Sequence, residues 1–236
     1  MKENSIKYIS IYEDLKQQIV RGDYKVGDLV PAEPVLQDLF QASRITIRHA
    51  VQLLVDEGYL QRIHGVGTIV LSNKSSLQLQ TLLSFSEENS DANAHSTLVS
   101  FHEEIIATPV VCSKLNLPKG SKVICHERLR WVNNEPIGFQ RVFCPAFMQI
   151  KEIDLQNDAS LYKLFREKGH VVTTANETIE AVIANKQLAK YLEIEEGASL
   201  LYVERVTRDQ KNRLIEYAEI YYRGDKYRYN IQLQVP

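Results

Sequence analysis

Residues Ser43 to Gly58 leave a folding chain little choice. Ser43 is a residue type that caps the free N–H groups at a helix start, and Gly58 is the type that ends one. Between them Ile47, Val51, Leu54 and Val55 recur at helical spacing and form one apolar stripe. A helix of that kind must bury its stripe, and the preceding residues supply two partners. Ile11, Leu15 and Ile19, four apart, predict a helix from Ile11 to Val20. Gly22 and Gly27 break it within the stretch from Arg21 to Asp28. A second short helix is expected from about Ala32 to Phe40, with Val35, Leu36, Leu39 and Phe40 apolar and Pro31 where a helix start tolerates it. Only Gln41-Ala42-Ser43 separates it from the third. Beyond Gly58 the period changes. Tyr59 to Ile63 and Thr68 to Leu71 read as short strands around the turn His64-Gly65-Val66-Gly67.

Three helices followed by a two-stranded hairpin is the order of a winged helix-turn-helix, here residues 1–72. Arg44 and Arg48, four apart, share one side of the third helix near its start, the part of a recognition helix that enters a major groove. Arginine there can fork onto guanine or clamp a phosphate. Thr46 and Gln52 add polar reach, and Arg62 and His64 flank a turn whose glycines, Gly65 and Gly67, let backbone approach a groove closely. One such arginine alone would read as a solvated helix face; the ordered set reads as a DNA interface. Net charge is −2, and acids about balance bases in the first 72 residues. Binding must therefore rest on a few well-placed cations rather than on bulk charge.

These residues resemble the GntR family of bacterial transcription regulators. The resemblance is carried by Val26-Gly27-Asp28-Leu29-Val30-Pro31, Ser43-Arg44-Ile45-Thr46-Ile47-Arg48, Glu57-Gly58 and Gly65-Val66-Gly67-Thr68. It implies that Arg44, Thr46 and Arg48 contact double-stranded operator DNA and that the wing at His64-Gly65 enters the minor groove. Relatives usually carry arginine, a further DNA contact, after the glutamate matching Glu33. Here that position is Pro34, so a contact is lost and the usual operator consensus is in doubt.

From Ser72 serine, asparagine and acids dominate, and residues 73–96 read as a linker containing a Leu77-to-Phe85 apolar patch. Residues 97–236 read as strands with short helices between them. Lys122 to Val132 and Pro136 to Cys144 suggest a hairpin about Asn133-Asn134-Glu135, and Ser199 to Arg208 with Arg213 to Tyr222 a second. Val171 to Ile183 is extended; Ser160 to Lys168 and Lys186 to Leu192 are short helices. The fold class is α+β, a winged helix-turn-helix plus an α+β domain with an antiparallel sheet. Cys112, Cys125 and Cys144 are widely separated and make no metal or redox pair. No segment reads as a membrane span or signal peptide, so a cytoplasmic protein without a membrane partner, cofactor or metal is expected.

Arg128 and Arg130, two apart on a strand, project from one face. Side by side they repel unless an anion lies between them; a solvent-facing pair, or salt bridges to nearby acids, is an equal reading of the residues alone. Glu216 and Tyr222 share a strand face with small Ala218 between them, which suits a hydroxyl-rich ligand or a structural Glu–Arg pair and a core tyrosine. Ser160 and Tyr162 fall at a helix start, where free N–H groups can meet an anion. Gln140 lies opposite Arg128 if the hairpin loop has three residues and turns away if it has two.

This half is similar to the UTRA effector domain of the HutC-like GntR branch, whose fold resembles chorismate lyase. The carriers are Ser84-Phe85-Ser86, Glu127-Arg128-Leu129-Arg130, Asn134-Glu135-Pro136, Ser160-Leu161-Tyr162, Glu177-Thr178-Ile179-Glu180-Ala181, Ile215-Glu216-Tyr217 and Tyr222-Arg223-Gly224-Asp225-Lys226-Tyr227. The resemblance implies an effector pocket lined by Ser84, Phe85, Ser86, Arg128, Arg130, Gln140, Ser160, Tyr162, Glu216 and Tyr222, with Ser84 to Ser86 closing it from the linker side. Some amino-sugar-phosphate sensors of the branch have glutamate where Gln140 stands, so a small anionic effector, a phosphorylated sugar or carboxylate, is expected without assuming an amino sugar. The expectation is a homodimeric repressor released from its operator by that effector. An enzyme of chorismate-lyase-like fold and a DNA-binding protein without ligand control are the alternatives; no Ser-His-Asp arrangement, metal cluster or paired-acid spacing calls for catalysis, and no catalytic residue is expected.

Overall fold

The computed structural model describes residues 2–78, 94–156 and 159–230. They form two compact units: Met1–Leu79 joined by Arg228–Pro236, and Gln80–Tyr227.

In the first unit α1 (Lys2–Arg21), α2 (Glu33–Phe40) and α3 (Arg44–Asp56) are followed by β1 (Leu60–Ile63) and β2 (Gly67–Val70), the expected order, although α1 begins well before the expected Ile11. The Ser43 side chain accepts a hydrogen bond from the Thr46 N–H, and Gly58 leaves the helix at φ 73°, a left-handed conformation that glycine adopts without strain. The stripes meet in one core of Ile11, Leu15, Ile19, Leu36, Ile47, Val51 and Leu54, closed by Tyr59, Leu60 and Val70 from the hairpin. Each fully buried aliphatic side chain here contributes about 1.5–3 kcal/mol. β1 and β2 pair antiparallel, Leu60 opposite Val70 and Ile63 opposite Gly67, and Leu29 bridges to Ile69.

The expected linker, 73–96, contains strand residues at both ends. Ser75–Gln78 form β3, which pairs with β10 (Tyr227–Asn230), and β4 begins at Ala94. Arg228, read from the sequence as part of the domain 97–236, groups with the first unit. The Arg228 Nη2 donates to the Glu57 carbonyl at 3.1 Å, and its guanidinium lies 5.3 Å from the centroid of the Tyr59 ring. It thereby caps a carbonyl at the end of α3, where a cation is favoured.

The second unit is one antiparallel six-stranded sheet in the order β4-β5-β6-β9-β8-β7. Its strands are β4 (Ala94–Ile106), β5 (Lys122–Val132), β6 (Glu135–Pro145), β7 (Val172–Ile183), β8 (Ser199–Asp209) and β9 (Leu214–Arg223). Both expected hairpins are present and meet at β6 and β9 in the middle of the sheet. One sheet face carries α4 (Pro109–Leu115), whose Val111, Cys112 and Leu115 pack with Val123, Cys125, Phe143 and Tyr217, and α6 (Lys186–Leu192), whose Leu188, Ala189 and Leu192 pack with Phe139 and Leu200. The other face carries α5 (Leu161–Glu167).

The first hairpin turns on two residues, not three. Asn133 and Asn134 both have positive φ (50° and 62°), and Val132 pairs with Glu135. Gln140 nevertheless faces Arg128, because β6 carries one extra residue, Ile137, between the pairs Trp131–Pro136 and Arg130–Gly138. That bulge restores the register that a two-residue turn alone would have reversed. No described helix is long and apolar enough to cross a membrane.

Candidate functional site

Two separate surfaces collect the residues of interest. On the first unit Arg44 and Arg48 project from the start of α3 with side chains 70% and 58% exposed. Both are held by Glu33 at the start of α2: Arg44 Nε lies 3.2 Å from one carboxylate oxygen and Arg48 Nε 3.6 Å from the other. Pro34, beside Glu33, is exposed at the head of α2, where its missing N–H costs nothing. Thr46, the third expected DNA contact, is less accessible than the two arginines. It is 5% exposed and its hydroxyl lies 2.8 Å from that of Ser43, so it helps to seat the helix start. Arg62 Nη1 donates to Gln52 Oε1 at 2.8 Å and ties the wing to α3, while Gln52 Nε2 donates to Asp56. His64 and Gly65 are exposed at the wing tip. Gly65 has φ 76° and open space around it, so backbone can enter a groove there.

On the second unit the register sets side chains of one sheet face in rows. Arg130, Gly138, Tyr222 and Leu201 form one; Arg128, Gln140, Ile220 and Val203 the next; His126, Val142, Ala218 and Arg205 a third; Thr207 and Glu216 stand opposite each other beyond it. The structure thus brings Arg128, Arg130, Gln140, Glu216 and Tyr222 to one face, all buried. Arg128 Nη1 donates to the Ala159 carbonyl at 2.9 Å, anchoring the approach to α5. Arg130 donates through Nε to Gln140 Oε1 (3.1 Å) and through Nη1 to Ser96 Oγ (2.6 Å). Gly138 lacks a Cβ where one would lie 2.9 Å from Tyr222 Cδ1, which lets that ring cross the row beside Arg130.

The α5 side completes the site. Tyr162 turns towards the sheet, donates to Glu216 Oε2 (3.3 Å) and accepts from Arg205 Nη1 (3.2 Å). Ser160 is the cap of α5 and accepts from the Lys163 N–H, so one of the helix-start donors expected to meet an anion is already engaged. Glu216 also accepts from Thr207 Oγ1 at 2.5 Å. Burial pushes the Glu216 carboxyl above its ordinary value, against the pull of Arg205, Thr207 and Tyr162, and burial next to Glu216 raises the Tyr162 phenol. Burial also pushes the Cys125 thiol up to about 12 and raises Cys144, so neither is a ready nucleophile. Ser84, Phe85 and Ser86 lie outside the described residues.

Arg205, Thr207, Ser96 and His126 belong to this face and were not anticipated. Arg205 pairs with Glu177 at 2.5 Å across the β7–β8 register. A sequence signal existed, since both strands alternate, but only their mutual register sets Arg205 opposite Glu177. Among the described residues no group of three His, Cys, Asp or Glu side chains could hold a metal ion.

Residues 7–70 match the model for bacterial regulatory proteins of the gntR family, and residues 91–228 match the UTRA domain model. The chain is 30% identical over 227 residues to the probable fructoselysine utilization operon transcriptional repressor of Escherichia coli strain K12, covering 94% of this chain and 93% of that protein. It is 29% identical over 223 residues to the HTH-type transcriptional repressor NagR of Bacillus subtilis strain 168, covering 93% and 91%. The solved structure of PhnF from Mycobacterium smegmatis superposes with a TM-score of 0.67 at 24% identity, over 95% of this chain and 99% of that one.

Proposed function

This chain belongs to the gntR family of bacterial regulatory proteins, in the branch that carries a UTRA domain, and on that premise we propose that it represses an operator from which a small anionic effector releases it. It is a DNA-binding transcriptional regulator and not an enzyme. The observation that carries the effector class is the pair Arg128 and Arg130, buried side by side on one sheet face. Two guanidiniums out of water are best offset by an anion. Around them Gln140, Tyr162, Glu216 and Tyr222 supply donors and acceptors of the kind a polyhydroxylated molecule needs. A phosphorylated sugar meets both demands. The Escherichia coli relative, a probable repressor of a fructoselysine utilization operon, supports a sugar-derived effector.

On the DNA side Arg44 and Arg48 read the major groove, and the wing at His64-Gly65, with Arg62 behind it, approaches the minor groove. Thr46 positions the helix that carries them. A homodimer would present two such helices to a palindrome. The effector acts by favouring an arrangement of the dimer in which both helices no longer fit their half-sites.

The test is a titration of full-length protein on a fluorescent duplex selected from a random pool, with and without a panel of sugar phosphates and small carboxylates. Release by an anionic member, lost in Arg130→Gln, is the expected result. Binding that no member of the panel alters would leave a DNA-binding protein without this form of ligand control.

A further inference from the structure

Among the described residues, His126 on the sheet face of Arg128 and Arg130 is a polar side chain without a hydrogen-bond partner. His126 is 0% exposed, and neither Nδ1 nor Nε2 has a hydrogen-bond partner among the described residues. It precedes Arg128 by two on β5, so strand alternation sets His126, Arg128 and Arg130 on the same face. Glu127 points the other way and pairs with Arg141 and Ser100. Next to His126 along its row stand Val142 and the small Ala218, then Arg205. An imidazole with both nitrogens out of water and unpaired is costly, and a leucine would occupy the same place without that cost.

Resting on the anionic-effector reading above, we propose that His126 is a third anion-recognising side chain beside Arg128 and Arg130, and that it suits the pocket to a phosphate monoester rather than a carboxylate. A carboxylate offers two coplanar oxygens, which one guanidinium fork satisfies. A phosphate monoester offers three terminal oxygens in a tetrahedral arrangement and takes donors from further directions. Burial, and then the charges of Arg128 and Arg130, hold the imidazole well below its usual pKa, so at neutral pH the ring is uncharged. It then has one N–H to donate to a phosphate oxygen and one nitrogen to accept from a ligand hydroxyl.

The experiment uses the full chain with ring-labelled histidine, probed with inorganic phosphate and glucose 6-phosphate, and with acetate as the carboxylate control. The signal of His126, one of six histidines, is assigned by its absence in His126→Phe and in His126→Gln. It is expected to shift saturably with either phosphate and not with acetate. Both variants should bind phosphate about tenfold more weakly or worse, while the unliganded His126→Phe melts no lower than the parent protein. A purely structural histidine predicts the reverse, a lower melting temperature with phosphate binding intact. Wild-type phosphate affinity in both variants, or saturation that leaves the His126 signal unmoved, overturns the assignment. If Arg130→Gln abolishes binding and the His126 variants do not, His126 is excluded while the anionic pocket stands. An equal dependence on His126 for acetate overturns the phosphate preference. A parent protein that binds none of the probes removes the anionic reading itself, and this assignment with it. If His126→Phe does not fold, the titration of the parent protein, assigned through His126→Gln, decides alone.

Discussion

Arg44 Nε lies 3.2 Å from a carboxylate oxygen of Glu33, and the second oxygen of the same carboxylate lies 3.6 Å from Arg48. One acid on α2 thus holds both arginines of α3. Exposed pairs of this kind contribute only about 0–1 kcal/mol to stability, so the effect of Glu33 should appear in DNA binding and not in folding. Glu33→Gln is expected to leave the melting temperature within a degree or two of the parent. It should raise affinity for arbitrary duplex severalfold at low salt by removing a negative charge from the interface. Titrations of parent and variant on a scrambled duplex at low and high salt check it; an unchanged affinity at low salt would show that the Glu33 charge does not oppose DNA binding.

Arg44→Ala and Arg48→Ala should each cost about 1–3 kcal/mol of operator affinity if they fork onto bases. A loss that is the same for every sequence, with a shallower salt dependence, would mark a phosphate contact instead. Arg62→Ala should cost less, because Arg62 meets Gln52 and not solvent alone. Salt-dependent binding curves separate the three.

Gly138→Ala would bring a methyl group to 2.9 Å from Tyr222 Cδ1 and 3.4 Å from the Tyr221 carbonyl. Overpacking at such a site costs about 1–3 kcal/mol. Since the Tyr222 ring is what can move, effector response should fall further than stability. Thermal melts with and without effector measure both.

Acid lability should trace to Asp209. Its side chain is fully buried in the turn between β8 and β9. Burial would raise its pKa, but hydrogen bonds from the Arg213 side chain and backbone, from His170 and from the Lys211 backbone hold it well below the usual carboxylate range. A carboxyl depressed on folding stabilises the native state above its unfolded value of about 4, and that contribution is lost as pH falls further. Asp209→Asn is expected to lose about 2–3 kcal/mol near pH 7 and to show a flatter decline below pH 4. Urea unfolding at several pH values reads both.

The order of elements in the first unit was legible, and α3 nearly to the residue, because it carries one clean stripe between recognisable ends, Ser43 before it and Gly58 after it; α1 starts well before Ile11, and of the apolar residues of α2 Val35 and Leu39 stay exposed. In the second unit the two hairpins were legible from alternation. β4 and α4 were not. β4 is an edge strand with two bulges and no run of fully buried residues, so it has no sharp period of two. α4 is only seven residues long, started by Thr108 and Pro109. The pocket was half legible. Arg128 with Arg130, and Glu216 with Tyr222, share strands, and spacing alone aligns them. Gln140 depended on a bulge at Ile137 that turn length does not announce. Arg205 depended on which strands become neighbours, which is a long-range fact, whereas His126 shares the face of Arg128 by spacing and was passed over. The burial of Thr46 was not announced by its spacing from Arg44 and Arg48; the first turn of α3 rotates it inward beside Ile47.

Arg228, near the end of the described residues, completes the unit that begins the chain. In connectivity the second unit is therefore an insertion, a long excursion between β3 and β10. Its two ends are both tied to one host. A fragment stopping at residue 79 would lack the cation that closes α3, and a hybrid made by one crossover would leave a foreign strand in that place. Exchanging sensors between such regulators takes two junctions, one before β4 and one before Arg228.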